Sequence, residues 1–425
     1  MRRRRFLTSS LGLGAGLLLP GLAGCGSSEG ALDGGLDGGL ASRGEAVQKG
    51  PFVQLLGPGR ARLRFETGAD EPMDVTLVRA SGTSQPIAAR SAVMLDYARR
   101  TLGAGAVPDV AGLHVLHELL LEDLEPGEEV EYSLHPRGAE RIEGRFRAPV
   151  ASGQAFRFGW IADTMFPFAD ASILALAEQA PDVVIHGGDI VYDESPFDSW
   201  NRLMQRLAPV SDAAAVHFLV GNHELEAQDE ITVQYERLFA GQGDPGGTPR
   251  YFAFTYGAVR FLCLDTESGG LKEMDPPQLD WLDAELEAAT ASEAIREIIV
   301  GFHRPTYTLS KHSVSDTTVR ERLHSRFVDH GVRLVFAGHA HAYERFVVDG
   351  IHYVVDGGGG ALLYDPDEDV EEVESARPGE PALRVAVAKS HGVTVVDVSS
   401  EGALTLRRVR ADDGTTDDEI VLPAL

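Results

Sequence analysis

From residue 51 to residue 149 apolar positions recur with a period of two. Ala61, Leu63 and Phe65 alternate with Arg62, Arg64 and Glu66, and Val130, Tyr132 and Leu134 take every second place after the turn at Pro126-Gly127. Alternate side chains of an extended segment point to opposite faces, so each such segment offers one apolar face. Short alternating segments punctuated by glycine and proline predict an antiparallel β-sandwich over residues 50–149. Residues 95–110 break the pattern and read as a long loop between strands.

After Gly153 short apolar runs alternate with longer stretches of helical period. Strands are expected at 158–161, 183–185, 216–220, 298–301, 334–337 and 353–355, and helices at 171–177, 197–207, 276–289 and 317–330. Residues 251–256 and 259–264 flank Gly257 as a hairpin. This alternation predicts a layered α/β domain over residues 154–425, and an α+β multi-domain chain as a whole.

At 425 residues the chain is too long for one ordinary compact domain, and its 43% hydrophobic and 24% charged residues are a globular composition. The first residues belong to neither domain. Arg2 to Arg5 precede Phe6-Leu7, a short apolar run covers 11–19, and Leu22-Ala23-Gly24-Cys25 closes the segment. That run is too short to span a bilayer, so residues 1–24 read as a cleaved signal peptide. The paired arginines match twin-arginine export, and Leu-Ala-Gly-Cys matches a lipoprotein cleavage box. The expectation is an exported bacterial lipoprotein of the periplasm or cell surface, anchored to the membrane through Cys25. Residues 25–49 are Gly- and Ser-rich, with Leu-Asp-Gly-Gly written twice, and read as a flexible tether.

Cys25 and Cys263 are the two cysteines. Lipidation of the first leaves the second no partner within the chain, and Cys263, in the apolar run 261–264, reads as a buried inert thiol. The net charge of −27 grows more negative once an arginine-bearing leader is removed. Such a surface repels polyanions and argues against nucleic acid as a partner. A phosphate-bearing substrate has to be drawn in locally, by metal ions or histidines.

Candidate chemistry clusters where the predicted strands end. Asp163 follows the first, Gly187-Gly188-Asp189 the second and Gly221-Asn222-His223-Glu224 the third, with His303 and Gly338-His339-Ala340-His341 after two more. Open α/β sheets bind ligands beyond the carboxyl ends of their strands, so these segments aim carboxylates, an amide oxygen and imidazoles at one place. Asp163 taken alone reads more readily as a cap of the following helix. In Gly-His-x-His the spacer sets both imidazoles on one face of an extended segment.

These residues resemble the calcineurin-like metallophosphoesterase superfamily. Tyr192, three places after Asp189, and the run 336–345 around His339 and His341 narrow the resemblance to purple acid phosphatases. It extends to the opening Pro51-Phe52-Val53-Gln54 and the turn Leu124-Glu125-Pro126-Gly127, which look like that family's fibronectin type III-like domain. The resemblance implies a four-layer α/β/β/α metallophosphoesterase domain with a dinuclear metal centre. One metal would be held by Asp163, Asp189, Tyr192 and His341, the other by Asp189, Asn222, His303 and His339, with Asp189 bridging. Most metallophosphoesterases write Asp-x-His first; here Met165 holds the third place and a phenolate is offered at 192. A hard anionic ligand suits a hard trivalent ion, so Fe(III) is expected there, with Zn, Mn or Fe(II) at the other site. The family's usual Gly-Asp-x-Gly is replaced by Ala162-Asp163-Thr164-Met165.

Two such metals can activate water and clamp a phosphoryl group undergoing in-line displacement. His223 and His312 stand where the family places substrate-contacting histidines, and are the expected catalytic residues. Arg304 reads equally as a phosphate contact or a surface arginine. His114, His117, His324, His330, His352 and His391 fall outside the motifs and read as structural. Gly357 to Gly360 form a permissive turn, and the acidic stretch 365–374 reads as a solvated loop or a flap. The function expected is hydrolysis of small phosphate monoesters. A phosphodiesterase or nucleotide pyrophosphatase on the same scaffold is the alternative, followed by a lipid-anchored binding protein without catalysis. Oligomeric state is left open.

The lipobox reading has a direct consequence. Cys25→Ala should move the protein from the membrane fraction to the soluble fraction; membrane association unchanged by the substitution would remove the anchor.

Overall fold

The structure, a computed structural model, describes residues 46–97, 112–165, 168–192, 196–226, 229–244, 248–267, 274–310 and 317–425. Residues 1–24, Cys25 and His312 lie outside the described residues. Val47 and Lys49, expected at the end of the tether, are buried, and Lys49 already opens the first strand.

The N-terminal strands are β1 (Lys49–Leu55), β2 (Ala61–Thr67), β3 (Met73–Arg79), β4 (Gly82–Thr83), β5 (Ile87–Tyr97), β6 (Gly112–Leu121), β7 (Glu129–Leu134) and β8 (Ile142–Arg147). β5 changes partner along its length, its first residues pairing with β3 and the rest with β6. Two antiparallel faces result, β1-β2-β6-β5 and β5-β3-β7-β8, an arrangement consistent with a fibronectin-like module. The alternation is real: Ala61, Leu63 and Phe65 from β2 share one core with Val130, Tyr132 and Leu134 from β7. Residues 95–97, expected in a loop, extend β5, because Leu95, Asp96 and Tyr97 pair with His114, Leu113 and Gly112. Val93 and Met94 beside them are exposed, so no apolar face marked the strand.

The second part contains β9 (Phe156–Ile161), α1 (Ala169–Glu178), β10 (Val183–His186), α2 (Pro196–Arg206), α3 (Ala208–Ser211), β11 (Ala215–Phe218), α4 (Asn222–Glu226) and α5 (Asp229–Phe239). It continues with β12 (Phe252–Tyr256), β13 (Val259–Cys263), α6 (Pro276–Ala291), β14 (Glu297–Phe302), α7 (Thr317–Asp329), β15 (Leu334–Ala337), β16 (Tyr343–Val348) and β17 (Ile351–Asp356). α8 (Val370–Ala376) and β18 (Arg384–Ala388), β19 (Gly392–Val398), β20 (Leu404–Arg410) and β21 (Thr416–Leu422) complete it. One sheet runs β21-β20-β19-β9-β10-β11 and the other β12-β13-β14-β15-β17-β16-β18.

Strand periodicity sorts the side chains into layers. Phe158, Trp160, Val183, Ile185, Phe261, Ile299, Leu334 and Phe336 meet between the sheets. The intervening Ile161 and Val184 face α1 and α2, and Val300, Phe302 and Val335 face α6 and α7. This is the α/β/β/α sandwich. α6 begins as its sequence dictates, with the Asp275 side chain accepting from the Gln278 N–H at 3.2 Å ahead of two prolines. Part of the acidic stretch is helix rather than loop, because α8 buries Val373. The strands after β17 escaped the pattern reading; β19 docks antiparallel on β9 and carries valines on consecutive positions, without clean alternation.

The two parts are joined through β-structure and through charge. β1 pairs in parallel with β11, so a sandwich strand extends the catalytic sheet. The polar face of β2 is buried against α5 and the residues after it: Arg64 donates to the Leu238 and Ala240 carbonyls at 2.9 Å. Glu66, fully buried, is held by Lys49 and Arg237 and lies 3.1 Å from His114 Nδ1. Burial alone would raise the Glu66 carboxyl, but the Lys49 ammonium, with His114 and Arg237, reverses this and holds it below the usual carboxylate range.

Replacing that carboxylate strands two buried cations, a class of change that costs roughly 3–5 kcal/mol. Glu66→Gln should lower the thermal midpoint clearly at neutral pH. A carboxyl depressed in the fold gives stability that is complete above its unfolded value and fades as pH falls. The gap between wild type and Glu66→Gln in thermal melts should therefore narrow below about pH 4.5; a gap independent of pH would contradict the assignment.

Candidate metal centre

The three parallel strands β9, β10 and β11 of one sheet and β14 and β15 of the other deliver their carboxyl ends to a common edge. Asp163 leaves β9, Asp189 follows β10, Asn222 opens α4 after β11, His303 leaves β14, and His339 and His341 follow β15. Asp163, Asp189 and His339 adopt positive φ, at 60°, 49° and 67°. Such backbone is uncommon for these residue types and turns each side chain sharply out of its strand. Glycines make room: a Cβ at Gly338 would lie 2.6 Å from Asp163 Oδ2, and one at Gly221 would collide with Asp189. The Ala162 methyl, where the family has glycine, fits because Gly187 and Gly338 face it; Cβ atoms there would approach it to 2.8 and 2.9 Å.

Each aspartate commits one oxygen to the backbone and turns the other inward. Asp163 Oδ2 accepts from the His339 N–H at 2.8 Å, and Asp189 Oδ1 from the His223 N–H at 2.9 Å. The remaining oxygens enter two donor sets. In the first, the Tyr192 hydroxyl lies 3.1 Å from Asp163 Oδ1, 3.3 Å from Asp189 Oδ2 and 3.3 Å from His341 Nε2. In the second, His303 Nε2 lies 3.2 Å from both Asp189 Oδ2 and Asn222 Oδ1. Donor atoms of Asp189, His303 and His339 all fall within 4.8 Å of one another. Asp189 Oδ2 belongs to both sets.

The histidines are set for coordination. His303 and His341 each direct Nδ1 at a backbone carbonyl 2.9 Å away, of Gly187 and Leu362, which fixes the proton there and leaves Nε2 for an ion. These residues therefore fit a dinuclear metal centre. Burial disfavours a charged His303, yet the Asp189 carboxylate overrides it and pushes the imidazolium up to about 10. Burial, with Asp163 and Asp189, raises Tyr192 well above its ordinary value. An ion has to displace both protons, so its affinity increases with pH.

Glu224 lacked an assigned role in the sequence reading. Its carboxylate accepts backbone N–H groups of Gly221, Asp189, Ile190 and Val191 at 2.8–3.2 Å, binding the Asp189 loop to the Asn222 turn. A carboxylate within a glycine-containing turn was the available signal. His223 is partly exposed and its ring lies 4.2 Å from the Tyr192 ring. Arg304 is no surface arginine: its guanidinium reaches His339 Nε2 at 2.8 Å. Tyr364 stacks on His341 at 4.3 Å. Gly357 packs under Asp163, placing that turn at the floor of the site. His114, His117, His324, His330, His352 and His391 stand apart from the cluster, each with a partner elsewhere. Cys263 is buried and its thiol is pushed up by burial.

A fold of two facing sheets with two donor sets at their carboxyl edge defines the metallophosphoesterase class, and residues 156–343 match the family model described as calcineurin-like phosphoesterase. This part of the chain is a calcineurin-like phosphoesterase domain, and its relatives are purple acid phosphatases. Over 254 residues the chain is 26% identical to "Fe(3+)-Zn(2+) purple acid phosphatase 12" of Arabidopsis thaliana, covering 54% of this chain and 52% of that one. Over 206 residues it is 27% identical to "Probable inactive purple acid phosphatase 9" of the same plant, covering 41% and 31%. The chain thus spans about half or less of the length of these relatives. Among solved structures, purple acid phosphatase PPD1 from yellow lupin (Lupinus luteus) superposes with a TM-score of 0.71 at 19% identity, covering 87% of this chain and 73% of that one.

The shared oxygen predicts an asymmetry. Asp189→Ala should empty both sites, whereas Tyr192→Phe and Asn222→Ala should each weaken one, leaving about one ion per chain by elemental analysis. Two ions retained by Asp189→Ala would exclude it as the bridge.

Proposed function

We propose that the protein is a phosphoric ester hydrolase acting on small phosphate monoesters through a dinuclear centre held by Asp163, Asp189, Tyr192, Asn222, His303, His339 and His341. The observation that carries this reading is Asp189 Oδ2, common to two complete donor sets. Completeness of both sets also favours catalysis over a binding role. When bound, the two metals supply an activated water and a clamp for the phosphoryl oxygens. Tyr192 favours Fe(III) at its site, since a strongly charged hard cation best offsets the burial and the two carboxylates that keep the phenol protonated; Zn, Mn or Fe(II) would complete the pair.

The chain's own groups divide the remaining work. The Glu224 carboxylate holds the loop that carries Asp189, fixing the separation of the two sets. His223, fastened by its backbone to Asp189 and resting on Tyr192, is placed to hydrogen-bond a phosphoryl oxygen. His312 is assigned the proton delivered to the leaving alkoxide. The substrate is a small phosphate ester rather than nucleic acid, in keeping with the acidic surface, and the enzyme would work at the cell envelope on its Cys25 anchor. A phosphodiesterase or nucleotide pyrophosphatase would use the same ligands, so the substrate comparison separates the readings.

Purified protein should contain two metal ions, absorb visible light through Tyr192 and lose or shift that band in Tyr192→Phe. It should hydrolyse p-nitrophenyl phosphate faster than its bis-ester. General acid catalysis contributes about a hundred- to ten-thousand-fold. His312→Ala should therefore lower kcat by that order on an alkyl phosphate and much less on the nitrophenyl ester. His223→Ala should slow both, with metals retained. Equal losses on the two esters for His312→Ala would refute its role as donor, and a metal-loaded wild type inactive on both nitrophenyl esters would refute the hydrolase.

A further inference from the structure

Arg304 immediately follows the ligand His303, yet its side chain does not leave the site. Its backbone N–H donates to Thr266 Oγ1 at 3.0 Å, and its Nε donates to Glu267 Oε2 at 2.9 Å. Glu267 is itself fixed, its side chain 1% exposed and its N–H donating to Asp265 Oδ1 at 2.7 Å. The guanidinium is thus gripped on its Nε side, which sends Nη1 toward the cluster, 2.8 Å from His339 Nε2. His339 is a member of the second donor set, so Nη1 lies at the rim of that set. A phosphoryl oxygen held at the second set would come within reach of the guanidinium. The charge and planar fork of a guanidinium match phosphate oxygens.

We propose that Arg304, positioned by Glu267, binds a non-bridging oxygen of the phosphoryl group and makes the site selective for phosphate monoesters over diesters. His223 meets the cluster beside Tyr192 and Arg304 meets it beside His339, so donors flank it on both sides. A monoester dianion presents three non-bridging oxygens and a diester two. A monoester dianion also carries the second negative charge that a diester lacks, so the Arg304 guanidinium gains more from the monoester. This deepens the hydrolase reading and rests on it.

The test is binding of inorganic phosphate to the metal-loaded protein by isothermal titration calorimetry, beside metal analysis and kinetics on p-nitrophenyl phosphate and its bis-ester. Losing one charge-assisted hydrogen bond weakens binding by about ten- to a hundred-fold. Arg304→Ala should show that loss of phosphate affinity with both metals retained. Its kcat/KM should fall by a similar factor on the monoester and by clearly less on the diester. Arg304→Lys should recover part of the affinity, keeping the charge without the fork, and serves alone if the alanine variant does not fold. Glu267→Gln should weaken phosphate binding less than Arg304→Ala. Unchanged phosphate affinity in Arg304→Ala, loss of a metal ion, or equal losses on the two esters would overturn the proposal while leaving the hydrolase reading intact. A wild type that binds phosphate through Arg304 yet hydrolyses neither ester would overturn the hydrolase reading and the selectivity with it.

Discussion

The site depends on how one carboxylate is divided. Asp189 gives Oδ1 to the His223 backbone and Oδ2 to both donor sets, so the backbone hydrogen bond sets the direction in which the shared oxygen points. Glu224 secures this from beneath by collecting the N–H groups of Asp189, Ile190 and Val191 together with that of Gly221. Buried N–H groups without partners are costly, so the carboxylate stabilises the turn as well as shaping it. The left-handed backbone at Asp163, Asp189 and His339 is tolerated because neighbouring loops hold each one: Asp163 N–H bonds to Gly188, and Ala361 N–H bonds to Asp163. Local strain is thereby exchanged for a fixed set of donors, the arrangement a metal centre needs before an ion arrives.

Charge is organised differently at the junction between the sandwich and the catalytic part. Lys49, Glu66, His114 and Arg237 are buried together where β2 meets α5, and Arg64 caps the carbonyls of residues 238 and 240. An apolar contact of the same area would tolerate sliding. Buried ions require defined partners, so this cluster, with the β1–β11 pairing, fixes the register between the parts. The same strand that carries these charges buries Leu63 and Phe65 on its other face.

Much of the fold was legible because alternation and helical period report which faces are buried. The period-two runs on β2 and β7, the strands β9 to β11 and β14 to β15, and the helices α1, α2, α6 and α7 all appear close to their expected places. Elements that failed to announce themselves share a physical cause. The end of β5 is held by backbone pairing with β6 while Val93 and Met94 beside it stay exposed, and α8 hides a single buried valine in an acidic run. β16 and β18 to β21 come from the chain's last third, where valines on consecutive positions in β16 and β19 obscure the alternation.

By itself the sequence determined the residue types of the centre and their spacing: carboxylates, an amide and imidazoles after strand ends, with glycines beside them. It could do so because ligand chemistry and sharp turns both demand particular residues at particular short separations. The tertiary structure decided which oxygen of each aspartate faces inward, that Arg304 lies in the site, and that Glu224 ties two loops together. It also decided that the polar face of β2 is buried and not solvated. Each of these depends on segments far apart in the chain meeting in space, and no local pattern of hydrophobic and polar positions encodes which distant partner a buried charge will find.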